Sequence, residues 1–105
     1  MTALALTGFL ALSAALFGIG VFGILTRRNF ILLLISIEIA MNAAILNFVY
    51  FAAFAPSANG IAGQSIAVVL IGFAATEVAV GLAIVLALNR LKGTINVARA
   101  NELKL

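Results

Sequence analysis

Apolar residues fall into three long runs, and charged residues fall almost entirely between or after them. The first run, Thr2 to Leu25, carries no charge. The second, Phe30 to about Phe54, carries only Glu38, and the third, about Ile61 to Asn89, carries only Glu77. Each is longer than the roughly 20 apolar residues that take a helix across a hydrocarbon core. The breaks between them carry their own signals. Thr26-Arg27-Arg28-Asn29 reads as a tight polar loop, with Asn29 suited to cap the helix that follows. Pro56 ends the second run, because proline cannot continue the hydrogen-bond ladder, and 55–60 is a short uncharged loop. Arg90, Lys92 and Gly93 close the third in the usual manner of a helix C-terminus. The predicted fold is an all-α membrane protein of three transmembrane helices over about 2–25, 29–54 and 61–89. It forms a single membrane domain, 1–105, with a polar tail at 90–105.

Composition agrees with lipid as the main solvent. Hydrophobic residues make up 66% of the chain and charged residues 9%. A soluble domain has about 45–50% and about 25%. There is no cysteine and no histidine, which removes disulfides, thiolate zinc sites, and Cys or His catalysis. All six basic residues lie in two places, Arg27 and Arg28, then Arg90, Lys92, Arg99 and Lys104. Under the positive-inside rule both clusters belong on the cytoplasmic side, which places the N-terminus outside and the C-terminus inside. A nucleic-acid partner is not indicated, since no basic face with interleaved aromatics is present. A cleavable signal peptide would put its basic residues before the first run, not after it.

Gly18-Ile19-Gly20-Val21-Phe22-Gly23 matches the dinucleotide-binding pattern G-x-G-x-x-G, and Glu38 even follows at a fitting distance. That pattern works at a strand-to-helix turn. Here it lies inside an uncharged apolar span, so it reads as a close-packed stretch of helix. Ala14 with Gly18, and Ala75 with Ala79, stand at a spacing that allows close helix packing. Tyr50, Phe51 and Phe54 near one end, with Phe22 and Phe30 near the other, are placed to serve as interface aromatics.

The two intramembrane acids are the candidate chemistry. A charge at the centre of a span costs about 2.5–3.5 kcal/mol on insertion scales, so such residues face protein or water and are functional candidates by default. Glu38 lies ten residues from Arg28 and Glu77 thirteen from Arg90. At 1.5 Å per residue these are depths of about 15 and about 20 Å in a core about 30 Å thick. Asn42 shares the helix face of Glu38, and Phe73, Ala74 and Gly81 share that of Glu77. A carboxyl that is neutral in a dry setting and ionises when water or a cation arrives suits a proton relay. The structural alternative is interhelical hydrogen bonding, worth about 0.6–2 kcal/mol. Arg27 and Arg28 read as topology anchors or as a charged contact with a partner. Ser36, Asn47 and Thr76 are weaker signals, and Asn47 lies about 180° from Glu38.

Taken together, these motifs resemble a known family. Leu25-Thr26-Arg27-Arg28-Asn29, Ser36-Ile37-Glu38 with Asn42-Ala43, and Ala74-Ala75-Thr76-Glu77-Val78-Ala79-Val80-Gly81-Leu82-Ala83 are similar to the K subunit of respiratory complex I. That is the small three-helix membrane subunit of NADH:quinone oxidoreductase. Gly93-Thr94-Ile95-Asn96-Val97 and Leu103-Lys104 extend the likeness over nearly the whole chain. The chain departs from the family at Ala40, often Met, at Ile45, often Asn, and at Val78, commonly Ala; Asn47 stands two residues past the usual Asn, on another face.

The resemblance implies a subunit with no active site of its own in a proton-pumping enzyme complex. NADH, FMN, iron–sulfur clusters and quinone would belong to the parent complex, with no cofactor or metal held by this chain. Its partners would be the lipid bilayer and other membrane subunits, antiporter-like and quinone-chamber ones. Glu38 and Glu77 would match the family's relay glutamates, with Arg27, Arg28 and Asn42 in support. The location would be an energy-transducing membrane, bacterial or archaeal, with an organelle inner membrane as the other option. Related small subunits occur in F420H2-linked and ferredoxin-linked complexes, in membrane-bound hydrogenases and in multisubunit cation/proton antiporters. The antiporter relatives look less close around Glu77. A four-span multidrug transporter and a two-span rotary-ring proteolipid disagree with three spans and two acids. Three helices alone do not enclose a path past two midplane acids, so obligate contacts with other subunits are expected.

Overall fold

A computed structural model describes residues 2–54 and 60–92. It contains three helices: α1, Ala3–Thr26; α2, Phe30–Phe54; and α3, Gly60–Lys92. All three are long and apolar enough to cross a membrane. Residues 55–59, where a loop with Pro56 is expected, and residues 93–105, the expected tail with Arg99 and Lys104, lie outside the described residues.

The local chemistry explains the helix ends. The Thr2 side chain accepts from the Ala5 amide at 3.3 Å and caps α1. Asn29 caps α2 as its position predicts, its Oδ1 accepting from the Ile31 and Leu32 amides at 2.9 and 3.4 Å. α3 continues to Lys92, past the expected end at Asn89, and takes Arg90 and Lys92 into its last turn. Cations there complement the negative end of the helix dipole, so they are compatible with continuing the helix. At 33 residues, α3 is about 50 Å long, more than a hydrocarbon core needs, and it must tilt or project.

α2 is the central helix. α1 packs on one of its sides and α3 on another. The α1–α2 seam is held by glycine at one end and by aromatics at the other. A methyl group at Gly20 would lie 2.7 Å from the Ala40 Cβ and backbone N and 2.8 Å from the Ser36 carbonyl oxygen; one at Gly23 would meet the Ser36 hydroxyl. At the far end Phe9 stacks on Tyr50 with centroids 4.1 Å apart, and Phe51 and Phe54 pack around the same ring. Tyr50 is therefore buried, not an interface aromatic, because α1 brings a ring against it. On the α2–α3 seam Gly63 meets Ala52 and Gly81 meets Leu34.

The expected small-residue pairs are not these contacts. Ala14, Gly18, Ala75 and Ala79 are all exposed, and nothing lies within 4 Å of a methyl group placed at Gly18. Spacing marks a stripe of small residues but not the side on which a neighbour lies. Both seams are antiparallel, so Arg27, Arg28, Arg90 and Lys92 all stand at one end of the bundle.

Candidate functional site

In a membrane span every polar group needs a partner. The serine and threonine hydroxyls of the three helices are satisfied within their own helices. Thr7, Thr26, Ser36, Ser65 and Thr76 each donate to the carbonyl four residues back at 2.7–2.9 Å, and Ser13 donates to Leu10 O at 3.2 Å. Ser36 and Thr76 thus need no external partner. The carboxyl and carboxamide groups differ. Glu38, Asn42, Asn47 and Glu77 make no hydrogen bond or ion pair among the described residues.

The two seams fix the relative heights of the acids. Leu34 and Ala52 are eighteen residues apart on α2, and their partners Gly81 and Gly63 are eighteen apart on α3. The register is therefore uniform between those contacts. Glu38 lies four residues past Leu34, and Glu77 four residues before Gly81. Because the helices are antiparallel, both steps run in the same direction. The acids stand level, about 6 Å along the axis from the Leu34–Gly81 contact.

They do not face one another. Glu38 is half-buried and lines a groove with Ile31, Leu34 and Ile35 of α2 and Val78 and Leu82 of α3. Glu77 is exposed and lines a depression with Phe73, Val80, Gly81 and Ile84. Measured around α3 from buried Ala74, Val78 and Leu82 lie about 40° and 80° one way, whereas Glu77 and Ile84 lie about 60° and 80° the other. The α2–α3 contact thus carries one acid on each flank. Asn42 is exposed one turn from Glu38 and makes no hydrogen bond to it.

Arg27 and Arg28 are both exposed in the α1–α2 loop, and Arg27 lines a groove between these helices that does not include Arg28. Asn47 shares the α1 side of α2 with Ala40, Ala43 and Tyr50, opposite the Glu38 side, as its spacing predicts. Its Oδ1 is buried without a hydrogen bond. Sequence reasoning ranked Asn47 low, and its apolar neighbours gave no sign of that burial. Among the described residues no three metal-ligating side chains come together. The arrangement offers two carboxyls at one height along the bundle, neither bonded among the described residues.

Residues 8–105 match the family of NADH-ubiquinone/plastoquinone oxidoreductase chain 4L. The chain belongs to this family. Among chain 4L relatives, NADH-quinone oxidoreductase subunit K 1 of Symbiobacterium thermophilum is 45% identical over 100% of both chains. The protein of the same name from Syntrophobacter fumaroxidans is 46% identical over 94% of this chain and 96% of its own. A chloroplastic NAD(P)H-quinone oxidoreductase subunit 4L of Chlorokybus atmophyticus is 41% identical over 94% and 97%. Membership of the 4L family explains a chain with three spans and no redox ligands, since the named relatives are subunits of larger oxidoreductases.

Proposed function

We propose that this chain is a membrane subunit of a proton-pumping NADH-quinone oxidoreductase, and that Glu38 and Glu77 pass protons or charge along its coupling path. The observation that carries this is the pair of acids, level at mid-span, on opposite flanks, and unpartnered among the described residues. Groups so placed gain nothing from their own subunit and must be met by water or by neighbouring subunits. Asn42, one turn from Glu38, offers a polar step beside it. Arg27 and Arg28 anchor the basic end on the cytoplasmic side, with the N-terminus outside. The partners are then the antiporter-like and quinone-chamber membrane subunits. On this reading NADH, flavin, iron–sulfur clusters and quinone belong to the parent complex; this sequence has no cysteine or histidine to ligate an iron–sulfur cluster.

Neutral substitution separates relay from assembly. In the intact complex, Glu38→Gln and Glu77→Gln are each expected to lower proton translocation about a hundredfold, the lower end of what a positioned proton-transfer group contributes. Subunit content should be unchanged. If both Gln variants pump normally while Ala at either position disrupts assembly, the acids are interhelical glue and the relay reading is lost. Orientation has its own check. Tags at the two termini should be reachable from opposite sides of the membrane, and reactivity from one side alone refutes the three-span topology.

A further inference from the structure

A groove of about 330 Å³ runs between α1 and α2 from the basic end of the bundle toward its middle. Arg27 stands at its mouth, and Ile19 and Phe22 from α1 and Leu32, Ile35 and Ile39 from α2 form its walls. The one hydroxyl in it, that of Ser36, already donates to Leu32 O at 2.8 Å. The groove is thus apolar along its length and cationic at its end. From Arg27 to Ile19 it descends about 12 Å, close to the ~15 Å hydrocarbon depth of one leaflet.

The charge at the mouth has no acidic counterpart among the described residues. Arg27 is exposed, and its guanidinium makes no ion pair or hydrogen bond among the described residues. No acid lines the groove, and α2 has no acidic residue in its first turn. The positive end of α2, its first amides capped by Asn29, lies at the same height, and its dipole adds to the preference for an anion. We propose that this groove binds an anionic phospholipid, its phosphate on the Arg27 guanidinium and one acyl chain along Phe22, Ile19, Ile35 and Ile39. A guanidinium holds a phosphate through charge-assisted, often paired hydrogen bonds, and anionic lipids enrich the leaflet that faces basic segments. A partner helix would need an acid at just this height above an apolar face. A phospholipid carries both features in one molecule. Arg28, adjacent in sequence but absent from the groove, provides an internal control.

The test uses the intact complex in phosphatidylcholine vesicles containing a minor share of phosphatidylglycerol with a photoreactive acyl chain. Labelled peptides are mapped by mass spectrometry. Label is expected on Ile19, Phe22, Ile35 and Ile39, displaced by unlabelled phosphatidylglycerol but not by added phosphatidylcholine. Arg27→Gln should weaken it about tenfold, the loss expected for one charge-assisted hydrogen bond, and Arg28→Gln should leave it unchanged. Equal displacement by phosphatidylcholine would mean bulk lipid only and overturns the proposal. So does equal loss in the two Arg variants, or absence of label because a neighbouring subunit fills the groove. The displacement experiment needs no variant, so it decides the matter even if Arg27→Gln fails to assemble.

Discussion

At the scale of single residues, Gly18, Gly20 and Gly23 show how little a motif's letters determine. All three lie in one helix, and the turn that the dinucleotide pattern requires is absent, as the apolar surroundings predict. Their roles then diverge. Gly20 touches the backbone of α2, Gly23 touches the Ser36 side chain, and Gly18 faces open space. An added methyl at Gly20 meets main-chain atoms at 2.7–2.8 Å, which cannot swing aside as a flexible side chain can. Gly20→Ala is therefore expected to destabilise the α1–α2 pair by about 1–3 kcal/mol, the usual cost of overpacking. Gly18→Ala adds helix propensity and meets nothing in this chain, so it should be neutral or slightly stabilising. Thermal inactivation of the purified complex carrying each variant checks the contrast. Equal sensitivity at the two positions would mean that the seam is misassigned or that another subunit packs on Gly18.

At the scale of helices, the existence and approximate ends of all three were legible in sequence. Long apolar runs leave few alternatives in a chain with so few charges, and Asn29 announced its cap. The packing sides were not legible. Helices that are apolar all round carry no stripe to separate a neighbouring helix from lipid, so Tyr50 read as an interface aromatic and Ala14 with Gly18 as a contact. The relative height of the acids was legible, because helical rise measured from the flanking basic residues put Glu38 and Glu77 within about 5 Å of each other. The register refines that agreement to a level pair, and it is testable because the chain has no cysteine of its own. Cysteines introduced as the pairs Ala52/Gly63 and Leu34/Gly81 should both cross-link readily within one chain. If pairs displaced by one turn cross-link instead, α3 slides by about 5 Å and the acids no longer stand level.

At the scale of the molecule, the level acids and their opposed flanks make a joint statement about how the subunit sits among others. α2 is central, α1 covers one of its sides, and the α2–α3 contact separates the groove of Glu38 from the depression of Glu77. A path that uses both carboxyls must therefore pass across this helix pair, entering from the surroundings of one flank and leaving to those of the other. A pair of acids on a single flank would instead form a local cluster serving one neighbour. The distinction is measurable with a short cross-linker on the assembled complex. Cysteine at Ile31 reports the Glu38 flank, and cysteine at Ile84 the Glu77 flank; both positions are exposed on this chain. Neither substitution removes an acid. The expected result is capture of two different membrane subunits, one per position, in complexes that still pump. Capture of the same subunit from both positions would mean that one neighbour wraps the helix pair. The chain would then present its acids to a single partner instead of linking two.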